Sequence, residues 1–127
     1  MDYIANMISK ILNASRAGKK TVSLSHSILG EAVSESLVKA GFIKSFTRKG
    51  KRNKSIEMTL LFDGEVPKIS GAKKISSQSR RVYAGFKDIK PVRNGYGRVI
   101  VSTPRGIMTG EEAVKAGIGG ELLFEIW

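Results

Sequence analysis

Residues 102–127 read STPRGIMTGEEAVKAGIGGELLFEIW, and they set the fold class. Thr109 is followed three positions on by Glu112. That spacing lets the hydroxyl and the carboxylate each bind the other residue's backbone N–H, so it predicts a short helix reaching Ala116. Gly117, Gly119 and Gly120 break that helix. A strand then follows, with Leu122, Phe124 and Ile126 on one face and Leu123, Glu125 and Trp127 on the other. Upstream, residues 98–102 form a strand-like run entered through a turn at Gly95 and Gly97. It ends on Ser102 and Thr103, before a tight turn at Pro104, Arg105 and Gly106. Strands surrounding one short capped helix indicate an α+β arrangement.

Working outward, Asp2 is an N-cap for a helix whose apolar stripe is Ile4, Met7, Ile8, Ile11 and Leu12, ending near Gly18. The run TVSL, from Thr21, alternates as a short strand. Ser25 or Ser27 caps a second helix with the stripe Leu29, Ala32, Val33, Leu37 and Ala40, stopped by Gly41 in the left-handed position. Residues 42–48 and 56–62 read as strands, the latter with Ile56, Met58, Leu60 and Phe62 on one face, joined by a loop turning at Gly50. The expectation is an α-β-α-β-β half, residues 1–64, packed against a mainly β half, residues 65–127, with one short helix. Gly64, Pro67 and Gly71 mark the boundary.

The chain carries 22 Lys and Arg against 11 acids, a net charge of +11. Residues 105–127 contribute two basic residues and four acids, leaving +13 on the preceding part. An excess of that size calls for a polyanionic partner. The first helix has only Lys10 and Arg16, too few for a basic membrane-surface helix, so nucleic acid is favoured. With no cysteine, disulfides and thiol chemistry are excluded. Polar residues interrupt the N-terminal apolar run and no segment approaches a membrane span, so a soluble intracellular protein is expected.

Two basic clusters stand out. Lys51, Arg52 and Lys54 belong to KSFTRKGKRNK, a hairpin tip without an acid that suits phosphate contact. The run KKISSQSRRVY, with Arg80, Arg81 and Tyr83, suits sugar–phosphate contact plus stacking equally as well as an ordinary exposed loop. His26 is the only histidine, which with no cysteine leaves too few ligands for a zinc site; it reads as a surface residue at a helix start. The acids show no catalytic grouping, so an enzyme, including an RNA-processing one, is disfavoured, and no metal or cofactor is expected. Trp127 reads as a hydrophobic plug. On spacing alone, residues 102–106 are a turn and Thr109 is a cap.

The residues Gly97, Ile100, Val101, Ser102, Thr103, Gly106, Ile107, Met108 and Ala113 together match a longer pattern. It is a glycine, two aliphatics, Ser-Thr-x-x-Gly, two aliphatics and an alanine, with Gly119-Gly120-Glu121 downstream. DYIANMISKILNA, Gly41-Phe42-Ile43 and RRVYAG join it, and the whole chain resembles the family of small-subunit ribosomal protein S-eight. Pro104 stands where that family commonly has a third hydroxyl, and Val114 where it commonly has a basic residue. The resemblance implies a primary binder of 16S-type ribosomal RNA that seats a central-domain helix during assembly. Ser102, Thr103, Pro104, Gly106, Gly119, Gly120 and Glu121 would face the RNA, with Tyr83 alongside. It also implies neighbouring small-subunit proteins as partners (ribosomal protein five is a candidate), a ribosomal place in the cytoplasm or an organelle, and a monomer outside the ribosome. A non-ribosomal regulator of messenger RNA, such as a feedback repressor on its own operon, would share these features.

Overall fold

The computed structural model describes residues 2–127. The first helix, α1 (Tyr3–Arg16), starts where the Asp2 carboxylate accepts the Ile4 N–H at 3.0 Å and the Ala5 N–H at 3.4 Å. It ends at Ala17 before Gly18, whose φ is +73°. Strand β1 (Thr21–Ser25) leads to α2 (Ile28–Lys39), capped by Ser27, whose hydroxyl accepts the Gly30 N–H at 2.8 Å. Strands β2 (Ile43–Lys49) and β3 (Ser55–Leu60) follow, and the three strands pair antiparallel in the order β1-β3-β2. The expected α-β-α-β-β order is present.

The apolar face of α2 differs from the one its sequence suggests. Leu29 is exposed, and the buried positions are Gly30, Val33, Ser34, Ser36 and Leu37. Gly30 faces the Tyr3 ring so closely that a Cβ there would collide with it, and the Tyr3 hydroxyl donates to the Ser25 carbonyl at 2.5 Å. The buried serines keep hydrogen bonds: Ser34 donates to the Gly30 carbonyl at 2.7 Å and Ser36 to the Ile107 carbonyl at 3.3 Å. A buried hydroxyl with a backbone acceptor costs little.

Phe62 does not continue β3. It belongs to a small hairpin of β4 (Phe62–Asp63) and β5 (Val66–Pro67), with Lys20 over its ring at 3.9 Å. The second half adds β6 (Ala72–Lys74), β7 (Tyr83–Ala84), β8 (Arg98–Thr103), β9 (Gly106–Thr109), α3 (Gly110–Ala116) and β10 (Gly120–Ile126). Its sheet runs β6-β10-β8-β9, with β7 also paired to β10. The capping box at Thr109 and Glu112 is formed, and α3 closes on Gly117 at φ +69°. Alternation along β10 breaks, because a register shift between Leu122 and Phe124 turns both Leu123 and Phe124 toward the main core.

That core is continuous across the chain. Met7, Val33, Leu37, Ile56 and Met58 pack in one cluster with Ile100, Phe124 and Ile126. A smaller cluster of Val92, Val99 and Val101 lies apart from it, with Ile75, Ile89 and Leu122 against it. Polar ties cross as well: Lys74 of β6 donates to the Asp2 carboxylate at 2.9 Å. Trp127 is half-buried between Gly71 and the Arg93 guanidinium, which lies 3.9 Å from the ring centre, as a plug would be. Among the described residues, no helix is long and apolar enough to cross a membrane.

Candidate nucleic-acid interface

The turn between β8 and β9 is built by Thr103. Its hydroxyl donates to the Gly106 carbonyl at 2.7 Å and accepts the Arg105 N–H at 3.2 Å. The side chain is 9% exposed, so this hydroxyl braces the hairpin instead of standing out from it. Pro104, Arg105 and Gly106 are exposed at the tip. Pro104 fixes its own φ and stiffens the turn. Gly106 sits at φ +116°, a conformation that L side chains rarely adopt. Arg105, a lone cation at the turn tip, escaped the sequence reading; its place between proline and glycine in a two-residue connection was the available signal.

Antiparallel partners share a face. Tyr83 pairs with Glu121, Glu121 with Ser102, and Ser102 with Ile107, so these four positions form one row across β7, β10, β8 and β9. Ser102 is half-buried, and its hydroxyl makes no hydrogen bond among the described residues, unlike that of Thr103. Tyr83 is 68% exposed, leaving its ring open for stacking. At the next positions Ala84 pairs with Gly120 and Thr103 with Gly106, so each pair includes a residue without a side chain.

Glycine is required at 119 and 120 because strands crowd there. A Cβ on Gly119 would strike the Ala84 carbonyl oxygen, and one on Gly120 the Ser102 carbonyl oxygen. Glu121 is mostly buried, and Arg81 Nη1 lies 3.2 Å from both of its carboxylate oxygens. The acid at this end is therefore neutralised by its own chain. Ser76, in the same run as Arg80 and Arg81, is buried and used internally. It accepts the Val82 N–H at 2.9 Å and donates to the Leu122 carbonyl at 2.6 Å, fastening the Tyr83 segment to β10. Arg80 is exposed and closes a turn on Ser77.

Arg81, Tyr83, residues 102–106 and residues 119–121 thus converge on one end of the second sheet. Lys51, Arg52 and Lys54 do not join them: they lie exposed on the loop between β2 and β3, in the other sheet. Gly50 turns that loop at φ +90°. Lys49 and Arg48 are engaged, at 3.0 Å from Glu57 and 3.6 Å from Glu31, whereas the three loop cations have no carboxylate partner among the described residues. His26 is half-buried, with Nε2 2.9 Å from the Glu31 carboxylate. That hydrogen bond, followed by the Arg48 charge, holds the Glu31 carboxyl below its ordinary pKa against some opposing desolvation. Glu31 therefore ties α2 to β2 through Arg48, with His26 bound to its other carboxylate oxygen. No group of three or more metal-capable side chains occurs among the described residues.

The family model for Ribosomal protein S8 matches residues 2–127. The chain is 44% identical over 126 residues to "Small ribosomal subunit protein uS8" of Mesoplasma florum, covering 99% of this chain and 98% of that one. It is 42% identical over 127 residues to the protein of the same name from Nitratidesulfovibrio vulgaris, covering 99% and 98%. The likeness to the one from Mesomycoplasma hyopneumoniae is 40% over 126 residues, covering 99% and 96%.

Proposed function

Because the chain belongs to the ribosomal protein S8 family, a family of structural, non-enzymatic proteins, we propose that it is a constituent of the small ribosomal subunit in the cytoplasm and binds 16S-type RNA directly, seating a central-domain helix during assembly. Two kinds of contact divide the work. The basic body, including the loop at Lys51, Arg52 and Lys54, attracts phosphates and holds on with little regard to sequence. The end of the second sheet supplies fit, offering the Ser102 hydroxyl, the Tyr83 ring and bare backbone at Gly106 to a shallow minor groove or an irregular loop.

The observation that carries this reading is the row of Tyr83, Glu121 and Ser102. It places an open aromatic ring and a free hydroxyl in one row on either side of Glu121, an acid already paired to Arg81. Such a surface neither repels phosphate nor relies on charge to grip it. Filter binding to the central-domain RNA helix and to a random duplex tests it. Tyr83→Ala should cost about 1–3 kcal/mol on the cognate helix, the range for a lost stacking partner, and leave the random duplex almost unaffected. Equal losses on both RNAs would mean that this end of the sheet does not discriminate.

A further inference from the structure

The opposite end of β8 opens into a second surface that the RNA reading leaves unused. A cavity of about 360 Å³ lies between α3 and the turn at residues 92–97, within the size range of small-ligand pockets. Ile89, Val92, Val99 and Val114 form its aliphatic walls. Val92 and Val99 belong to the smaller core cluster, so the cavity borders that cluster. Gly110 packs directly on the walls, since a Cβ there would collide with Val99 and Ile89. At the mouth Val114 is 41% exposed, and Tyr96, between two lining glycines, is 85% exposed.

The charge around the mouth is unbalanced. Arg98 is occupied, donating to the carbonyls of Gly95 at 2.7 Å and Gly97 at 2.8 Å and lying 3.5 Å from the Glu111 carboxylate. Glu111, the one acid lining the cavity, is thereby engaged. Lys90 and Lys115 also line it and have no carboxylate partner among the described residues. The turn itself is strained: Arg93 at φ +48° and Asn94 at φ +54° are both in the left-handed region without being glycine. Such strain persists only where surrounding contacts fix it, and here the Trp127 ring and the Arg98 bonds do so.

We propose that this groove docks an acidic segment of a neighbouring protein, with an apolar side chain in the cavity and flanking carboxylates on Lys90 and Lys115. Aliphatic walls suit a leucine or phenylalanine anchor better than a base edge, which would find no free hydrogen-bonding partner on those walls. The site is separate from the RNA face, since Val99 and Thr103 stand about 13 Å apart along an extended strand.

Methyl NMR and fluorescence anisotropy with the labelled peptide Glu-Asp-Leu-Phe-Glu-Asp test the proposal on the full chain. Saturable binding is expected, with shifts at the Val92, Val99 and Val114 methyls. Val114→Glu, at an exposed position, should weaken binding about tenfold or more while RNA affinity is kept. Lys90→Gln with Lys115→Gln should weaken it too. The proposal is overturned by any of four results: no saturation up to about 1 mM peptide, no loss in Val114→Glu, equal binding of a peptide with glycines replacing Leu-Phe, or protection of the groove by the RNA helix instead.

Discussion

Ser102 and Thr103 are equivalent hydroxyls in the sequence, and only the fold separates them. Thr103 spends its donor on Gly106 and accepts from Arg105, whereas the Ser102 hydroxyl makes no hydrogen bond within the described residues. Thr103→Val should therefore cost about 1 kcal/mol of folding stability, the net worth of an internal hydrogen bond, and loosen the turn. Ser102→Ala should leave the urea midpoint unchanged and still weaken the cognate RNA complex. If both variants lose only RNA affinity and keep their stability, Thr103 does not brace the turn. Gly120 makes a sharper case. A methyl group there would meet the Ser102 carbonyl, which is backbone and cannot turn aside. Gly120→Ala should destabilise by about 1–3 kcal/mol, as overpacking does, and denaturation in urea would register it. The sequence signals a close approach with its double glycine but cannot say which carbonyl is approached.

Elements were legible where one local rule governed them. Asp2, Ser27 and the Thr109–Glu112 pair each cap a helix as their spacing implies. What stayed hidden depends on neighbours distant in sequence. The α2 stripe is displaced because the Tyr3 ring needs Gly30, and because Ser36 finds the Ile107 carbonyl across the molecule. Strand β9 has four residues, running from a turn glycine to a helix cap, too few to show alternation. The β10 bulge is invisible because Leu122, Leu123 and Phe124 are apolar in sequence whichever way they face.

The cap of α1 also carries a pH dependence. The Lys74 hydrogen bond, assisted by the Ala5 and Ile4 N–H groups and opposed by desolvation, holds the Asp2 carboxyl below its ordinary value of 3.8. A depressed carboxyl contributes stability that is present above 3.8 and lost as the pH falls through the lower folded value. Asn is as good an N-cap as Asp, so Asp2→Asn removes the ion pair and keeps the cap. The melting-temperature deficit of this variant should be full at neutral pH and disappear at the acid end. A deficit independent of pH would mean that Lys74 contributes nothing there.

At the scale of the molecule, +13 on residues 1–104 and a balance of −2 on residues 105–127 separate affinity from fit. The charge imbalance was plain in the sequence. The shared row of Tyr83 and Ser102 was not, because β10, the strand between them, comes last in the chain. Replacing Lys51 and Arg52 with Gln should flatten the salt dependence of RNA binding by about one slope unit per lost phosphate contact, with the preference for the cognate helix retained. A loss of preference with an unchanged slope would reverse the roles of loop and sheet. The most direct measurement is a protein–RNA crosslinking map of the chain on small-subunit RNA. Nucleotides attached at Tyr83, within residues 102–106 and within residues 119–121 are expected. Crosslinks confined to the loop at residues 50–54, with none between 102 and 121, would contradict the assignment of the sheet end as the reader.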